Sequence, residues 1–181
     1  QTHHSRAGGK PVRRPVFLDS HLCGNDGRLS VLLRRQLKYE LRRSDASGQG
    51  AFTVDIGFFS YNTEYGIRAD DLARELEDRG FESLWVGEHT HIPASRETPF
   101  PGGGDLPKPY YHMSDPFVTL GMAAAVTKKL ILGTGISLVV EHHPISLAKQ
   151  VATLDHYSGG RFIFGIGGGW NKEEMENHGF P

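Results

Sequence analysis

The stretch Leu130–Val140 (LILGTGISLVV) most restricts what this chain can fold into, because it is apolar nearly throughout. A strand with one wet face alternates apolar and polar residues, whereas a strand covered on both faces does not. Strands of that kind belong to parallel sheets built from βαβ units, and the neighbouring segments supply such units. Phe52–Ser60 (FTVDIGFFS) and Ser83–Glu88 (SLWVGE) read as strands before it, and Arg161–Ile166 (RFIFGI) as a strand after it. Helical patterns lie between them. Arg68–Arg79 carries Leu72, Ala73 and Leu76 on one stripe, a Glu75/Arg79 pair on the wet face and Gly80 at its end. Ser114-Asp115-Pro116 supplies an N-cap and a first-turn proline for a helix to Thr127. Pro144 opens another to Tyr157, with Leu147, Ala148, Val151 and Leu154 inward and Gly159-Gly160 stopping it. A last helix is expected over Asn171–Asn177.

Strand and helix in strict alternation leave an open doubly wound sheet or a (β/α)₈ barrel, since crossovers are right-handed. A barrel of eight units takes about 250 residues, so four units would be half of one, with the chain ending just inside a fourth helix. In both architectures ligands gather at the C-terminal ends of the strands. That rule selects Ser60–Tyr65, Glu88–His91, Gly135–His143 and Gly167–Trp170.

Composition narrows the class. The 181 residues carry a net charge of −1 and are 38% hydrophobic, as a globular domain should be. No apolar run reaches the 18 residues of a membrane span, so no membrane partner is expected. A single cysteine, Cys23, makes no internal disulfide and fits a cytoplasmic protein. Charge is unevenly spread: residues 1–50 hold ten Lys/Arg against four acids, a +6 leader on a −7 body. A basic arm can bind nucleic acid or a membrane surface. The plainer reading, an extension expected to be disordered, is preferred here. The leader begins with Gln and lacks the apolar stretch of a secretory signal. Leu29–Leu41 could form a short helix within it, with no assigned function. The folded body is expected over residues 51–181, with no nucleic-acid partner.

Several groups could carry chemistry. Glu88-His89 closes the second strand, where a carboxylate and an imidazole can move protons or simply shape the next loop. His89-Thr90-His91 has a spacing that suits a metal in a strand, and His142-His143 could extend it, which keeps a metal-dependent hydrolase in view. No acidic or cysteine ligand pairs with these histidines in the sequence, so no metal is expected. Gly167-Gly168-Gly169 lies between a strand and a helix, where backbone N–H groups can cradle phosphate. Gly133-Thr134-Gly135 inside a strand suggests a bulge or the close approach of a ligand. His91–Met113, rich in proline and glycine, is too long for an ordinary connection.

Together these stretches resemble the luciferase-like monooxygenase superfamily, and most of all the N-terminal half of its F420-dependent branch. The residues that carry the likeness are Gly80–Pro93 (GFESLWVGEHTHIP) and Leu130–Gly179, where Pro-x-x-x-Ala-Lys-x-x-Ala-Thr-Leu-Asp leads into Ser-Gly-Gly-Arg. The resemblance implies the first four βα units of a (β/α)₈ TIM barrel. It implies a ring-shaped redox cofactor at the strand ends: coenzyme F420, or FMN as the alternative. A non-prolyl cis peptide at Gly135-Ile136 would back the ring, with Ser137 beside it. Gly167, Gly168 and Gly169 would form part of the phosphate site. Glu88 and His89 would lie near the reactive edge, His89 as proton donor or acceptor. The implied reaction is hydride transfer to or from a small organic substrate. An FMN-dependent monooxygenase on the same fold is the rival, and an inactive fragment a third possibility. The full-length protein is expected to be a homo-oligomer.

The sequence departs from the family at one telling place. Its sugar-phosphate dehydrogenases carry a catalytic glutamate just after the glycines, where this chain has Trp170, so a sugar phosphate is not the expected substrate. Glu173 and Glu174 read as capping or solvating the last helix. Asp155 and Arg161, at the opposite end from the active face, read as a structural pair.

Overall fold

The computed structural model describes residues 16–18 and 55–180. The helix expected over Leu29–Leu41 and the start of the strand expected from Phe52 lie outside them. In chain order the elements are β1 (Val16–Leu18), β2 (Ile56–Ser60), α1 (Ala69–Asp78), β3 (Ser83–Val86) and α2 (Pro116–Val126). They continue with β4 (Ile131–Thr134), β5 (Ser137–Leu138), α3 (Pro144–Ser158), β6 (Phe162–Ile163), β7 (Ile166–Gly167) and α4 (Lys172–Asn177). Strands β1-β2-β3-β4-β6 form one five-stranded sheet, parallel throughout. Each strand lies beside the next one in the sequence. A doubly wound sheet would reverse its order, so this is the wall of a (β/α)₈ barrel, represented by its first four βα units. The leader contributes β1, which places Val16 opposite Ile56.

Strand register explains which face is buried. Phe58, Leu84, Leu132 and Phe162 form one rung across the sheet. They face the helices, where they meet Leu72 and Leu76 of α1, Leu120 and Ala123 of α2, and Leu147 and Leu154 of α3. Leu76, Leu84, Leu120 and Leu132 are fully buried, each worth about 2 kcal/mol in area removed from water. The next rung, Phe59, Trp85, Gly133 and Ile163, points the other way. Ile163 on that face is 44% exposed. Leu130–Val140 keeps the two-sided cover expected of it, with the successive residues Leu132, Gly133 and Thr134 all buried, and Ile136 is its one exposed residue. Ala148, expected inside, is exposed.

Trp85 explains the glycine inside β4. A Cβ on Gly133 would lie 2.4 Å from the indole ring, and one on Gly57 would lie 2.6 Å from Ser83 Oγ, which the indole N–H bonds at 2.9 Å. Gly133 thus makes room for the chain's own tryptophan, and the irregularity expected in this stretch falls at Gly135. Leu130–Val140 is not one strand. Gly135 N–H donates to Val86 O at 2.7 Å, as a neighbour of β3 should, but Ser137 N–H donates to Gly165 O at 2.8 Å. The Gly135–Ile136 peptide between them is cis, and the chain steps from one neighbour to the other across it. The strand expected at Arg161–Ile166 splits for the matching reason. At Gly165 the Thr134 hydroxyl takes over the ladder, donating to Gly165 O at 2.8 Å and accepting from its N–H at 3.0 Å. Beyond the break, β5 and β7 pair with each other as a small second sheet.

Helix ends follow the sequence cues. Asp115 Oδ1 caps α2 by accepting from Val118 N–H at 2.8 Å. Gly80 (φ 78°) and Gly159 (φ 70°) close α1 and α3 in left-handed turns that only glycine enters freely. Arg161 does not pair with Asp155 as expected. Its guanidinium donates to the carbonyls of Ala124, Thr127 and Leu130, the orphaned acceptors after α2, where a cation is favoured. Opposite it, Glu77 accepts from the N–H groups of Lys128, Lys129 and Leu130 at 2.7–3.0 Å. Burial works to raise the Glu77 pKa, but these donors outweigh it and lower it.

Candidate functional site

The C-terminal strand ends gather the groups that the sequence singled out, but not as it arranged them. Glu88 and His89 follow β3, and successive residues of an extended chain point to opposite sides, so the two side chains take separate partners. Glu88 is buried, and both its oxygens are engaged. Oε2 accepts from Ser137 Oγ at 2.8 Å and Leu138 N–H at 2.7 Å, and Oε1 pairs with His142 Nε2 at 2.8 Å. A carboxylate so occupied acts as a brace: it ties the end of β3 to β5 just past the cis peptide.

His89, also buried, turns the other way. Its Nδ1 lies 2.7 Å from Glu174 Oε2, and its ring stacks edge-on against Trp170 and at a tilt against Tyr110, with centroids 5.6 and 5.2 Å away. Glu174 was expected to solvate α4. Instead it is fully buried and accepts further from Asn171 Nδ2 at 3.3 Å and His91 N–H at 3.4 Å. Burial raises the Glu174 pKa, but the His89 hydrogen bond and charge, with these other donors, lower it below the ordinary value. The sequence signal was there in outline: Glu174 is the third residue after Asn171, in the first turn of α4, where a side chain can reach back toward the strand ends.

A third carboxylate, Glu141, is buried beside these, and among the described residues no donor meets its oxygens in full hydrogen-bond geometry, the Thr90 hydroxyl and N–H being weak neighbours. His178 Nε2 is 3.9 Å from Oε2, beyond hydrogen-bond reach. Burial first, then the nearby Glu174 charge, push the Glu141 pKa up to about 8, only partly offset by Thr90. Of two crowded carboxyls, the one with firm donors keeps the charge and the one with weak donors takes the proton.

The long segment after His91 is no loose loop. Glu173 Oε1 accepts from Glu97 and Thr98 N–H at 3.0 and 3.1 Å, and hydrogen bonding from Thr98 leads the contributions that pull its pKa down to about 2. Met113 bridges to Thr63. So held, the segment delivers Phe100 and Tyr110 to Trp170, with centroids 5.8 and 6.4 Å from it, and Tyr110 reaches Tyr61 at 5.5 Å. An aromatic wall thus runs from His89 to the sheet. It borders a cleft of about 530 Å³ lined by Phe59, Tyr61, Trp85, Thr134, Gly135, Ile136 and Gly165. The cleft is apolar except at Tyr61, Thr134 and the backbone.

Of the expected cofactor residues, Gly135 and Ile136 line this cleft, and Ile136 is 41% exposed. Ser137 is fully buried behind them, with its hydroxyl given to Glu88. Gly167 lies under Ile136, close enough that a Cβ would fall 1.9 Å from Ile136 Cδ1, and Gly168 faces open space. Gly169 takes φ 82° in the turn toward α4. Gly165, not among the expected cofactor residues, also lines the cleft, where β6 and β7 part. The HxH pair does not converge. His91 is exposed and bonds Thr90 and Asn177, while His89 is turned to Glu174. Among the described residues no three His, Cys, Asp or Glu side chains are placed to hold a metal ion, and none of the described helices is long and apolar enough to cross a membrane.

Comparison with known proteins agrees with this geometry. An uncharacterised protein of Mycobacterium tuberculosis H37Rv is 45% identical over 131 residues, 71% of this chain and 46% of the relative. The 4-hydroxyprotoasukamycin monooxygenase of Streptomyces nodosus is 36% identical over 105 residues, 58% of this chain and 24% of that enzyme. The coenzyme F420 dependent tetrahydromethanopterin reductase of Methanopyrus kandleri superposes with a TM-score of 0.52 at 29% identity, covering 72% of this chain and 31% of that one. The chain thus spans about half the length of its Mycobacterium relative or less. The luciferase-like monooxygenase profile matches residues 57–181, and the chain belongs to that family.

Proposed function

We propose that this chain forms the cofactor-binding half of an oxidoreductase that uses coenzyme F420 and transfers a hydride to or from a small organic substrate. The observation that carries this reading is the apolar cleft walled by Phe59, Trp85 and the Gly135–Ile136 backbone, with buried His89 at the end of its aromatic wall. Its mainly apolar, aromatic lining suits a planar ring. Phe59, Trp85, Gly135 and Ile136 would hold the ring, and Gly168, where a side chain would meet nothing, leaves the strand end open for a phosphate-bearing tail. When bound, the deazaflavin supplies a two-electron hydride exchange at its carbon five. The chain's own residues orient, exclude water and move a proton. Tyr61, Tyr110 and Trp170 shield the site. His89 takes up or releases the proton that accompanies the hydride. Glu88, with all its acceptors engaged, braces the cleft wall instead of meeting substrate.

The F420 branch is favoured by the sequence blocks around Glu88-His89 and by the likeness to a reductase whose name includes that coenzyme. An FMN-dependent monooxygenase is the second reading, and the likeness to a monooxygenase of Streptomyces favours it. Titrating the protein anaerobically with reduced F420 and with reduced FMN, each followed by cofactor absorbance, separates the two when oxygen is then admitted and its uptake recorded with an electrode against that of the free reduced cofactor. Saturable F420 binding without oxygen uptake is expected. FMN binding coupled to oxygen consumption would transfer the assignment to the monooxygenase.

A further inference from the structure

We infer that Glu174 is the positioning residue for His89, fixing its ring and tautomer so that the neutral imidazole presents a lone pair at Nε2. The inference rests on the reading of His89 as the proton-moving group, but its geometry stands apart from any cofactor. Glu174 receives His89 Nδ1, Asn171 Nδ2 and His91 N–H. Asn171 and the peptide N–H can only donate from those atoms, so the group they share must be an acceptor, and a carboxylate is acceptor-only. The hydrogen on the 2.7 Å contact to His89 therefore sits on Nδ1. The neutral ring then bears its lone pair at Nε2, within the aromatic enclosure of Tyr110 and Trp170.

The second nitrogen of a working histidine is commonly held by a carboxylate that sets tautomer and orientation. Adjacency in sequence pointed to Glu88 for that task, and the structure gives Glu88 to Ser137, Leu138 and His142. Glu174 does it from 85 residues away. Asn171 steadies the carboxylate from the turn before α4, and through Glu174 the short last helix reaches His89 and His91. The Glu173 bonds to Glu97 and Thr98 keep that helix and the aromatic wall in one piece.

The test is imidazole ¹⁵N NMR on the 181-residue chain labelled at histidine, with His89 assigned by loss of its signals in His89→Gln. The wild-type ring, when neutral, is expected to be protonated at Nδ1, the less common tautomer in water. In Glu174→Gln the ratio of Nδ1-protonated to Nε2-protonated ring should fall at least tenfold, whereas Glu174→Asp, which keeps a carboxylate, should recover part of it. A wild-type ring protonated at Nε2 would overturn the inference, and that measurement needs no variant to fold. So would an unchanged ratio in folded Glu174→Gln. Turnover of the F420-loaded protein separates the two layers. If His89→Gln turns over as well as wild type while the tautomer is as stated, the assigned role of His89 fails and the Glu174 contact stands.

Discussion

Replacing Glu141 by glutamine tests the electrostatics of the strand ends without changing their shape. Glu141 is 7% exposed and meets no donor in full hydrogen-bond geometry among the described residues, so its charge is poorly compensated. Its pKa rises from the ordinary 4.5 to about 8, through burial and then the Glu174 charge. A carboxyl raised on folding binds a proton that the unfolded chain has released. Stability therefore falls as pH rises from about 4.5 and levels off above about 8. At about 1.4 kcal/mol per pH unit, that window caps the loss at about 5 kcal/mol. Polarisable surroundings and water reaching the group reduce it, and about 2 kcal/mol is expected.

Glutamine cannot ionise, and Glu141→Gln should not show the loss. Near pH 5 both proteins present a neutral group of the same shape, and their stabilities should agree within about 1 kcal/mol. By pH 8 the variant should be the more stable by about 2 kcal/mol. Urea unfolding followed by far-ultraviolet circular dichroism at half-unit steps from pH 5 to pH 9 measures the difference directly. Parallel curves would refute the reasoning, because they would mean that Glu141 is ionised in the folded state at no cost. A variant less stable at every pH would do the same, and would mean that the Thr90 hydroxyl and N–H hold the Glu141 charge.

Four further outcomes are expected. Gly133→Ala puts a methyl group against the Trp85 ring, 2.4 Å away, and should cost about 2 kcal/mol of stability by urea unfolding, with altered tryptophan fluorescence. Gly167→Ala meets the Ile136 side chain alone, at 1.9 Å from its Cδ1 tip and 3.3 Å from Cγ1. It should cost less than about 1 kcal/mol in stability, as small overpacking that a rotamer can relieve, while weakening cofactor binding measured by fluorescence, since Ile136 must swing into the cleft. Glu173 has its pKa lowered to about 2, first by hydrogen bonding from Thr98. Its hold on the aromatic segment is thus complete above about pH 4.5 and is lost as pH falls toward 2, and in Glu173→Gln the amides of Glu97 and Thr98 should exchange hydrogen faster at neutral pH. The sheet face carrying Phe59, Trp85 and Ile163 is only partly covered, with Ile163 44% exposed, and Ile166 of β7 is 59% exposed. The 181-residue chain alone should therefore self-associate in sedimentation velocity, as exposed apolar patches do.

What could be read in advance divides along the range of the interaction involved. The helix stripe Leu72-Ala73-Leu76, the Asp115 cap and the glycine stops are local, with causes lying within a turn or two of the residue, and all appear where the pattern puts them. The strand breaks at Gly135 and Gly165 are not local. Each exists because the other does, through Thr134 and the step of Ser137 onto Gly165, and hydrophobicity along either segment alone reads as one unbroken strand.

The same holds for the site. Glu88-His89 stood out because a carboxylate and an imidazole are neighbours, but adjacency along an extended backbone sends two side chains to opposite sides. The partners that define their chemistry, His142 for one and Glu174 for the other, lie 54 and 85 residues away. A strand end is therefore a good predictor of where reactive side chains gather and a poor one of which of them meet. The carboxylate nearest in sequence braces the cleft wall, and the one that touches the histidine comes from a helix whose acidic first turn reads as a solvated cap. That division follows from the barrel itself. Alternate residues at a strand terminus serve different neighbours, so the carboxylate that meets His89 comes from another βα unit.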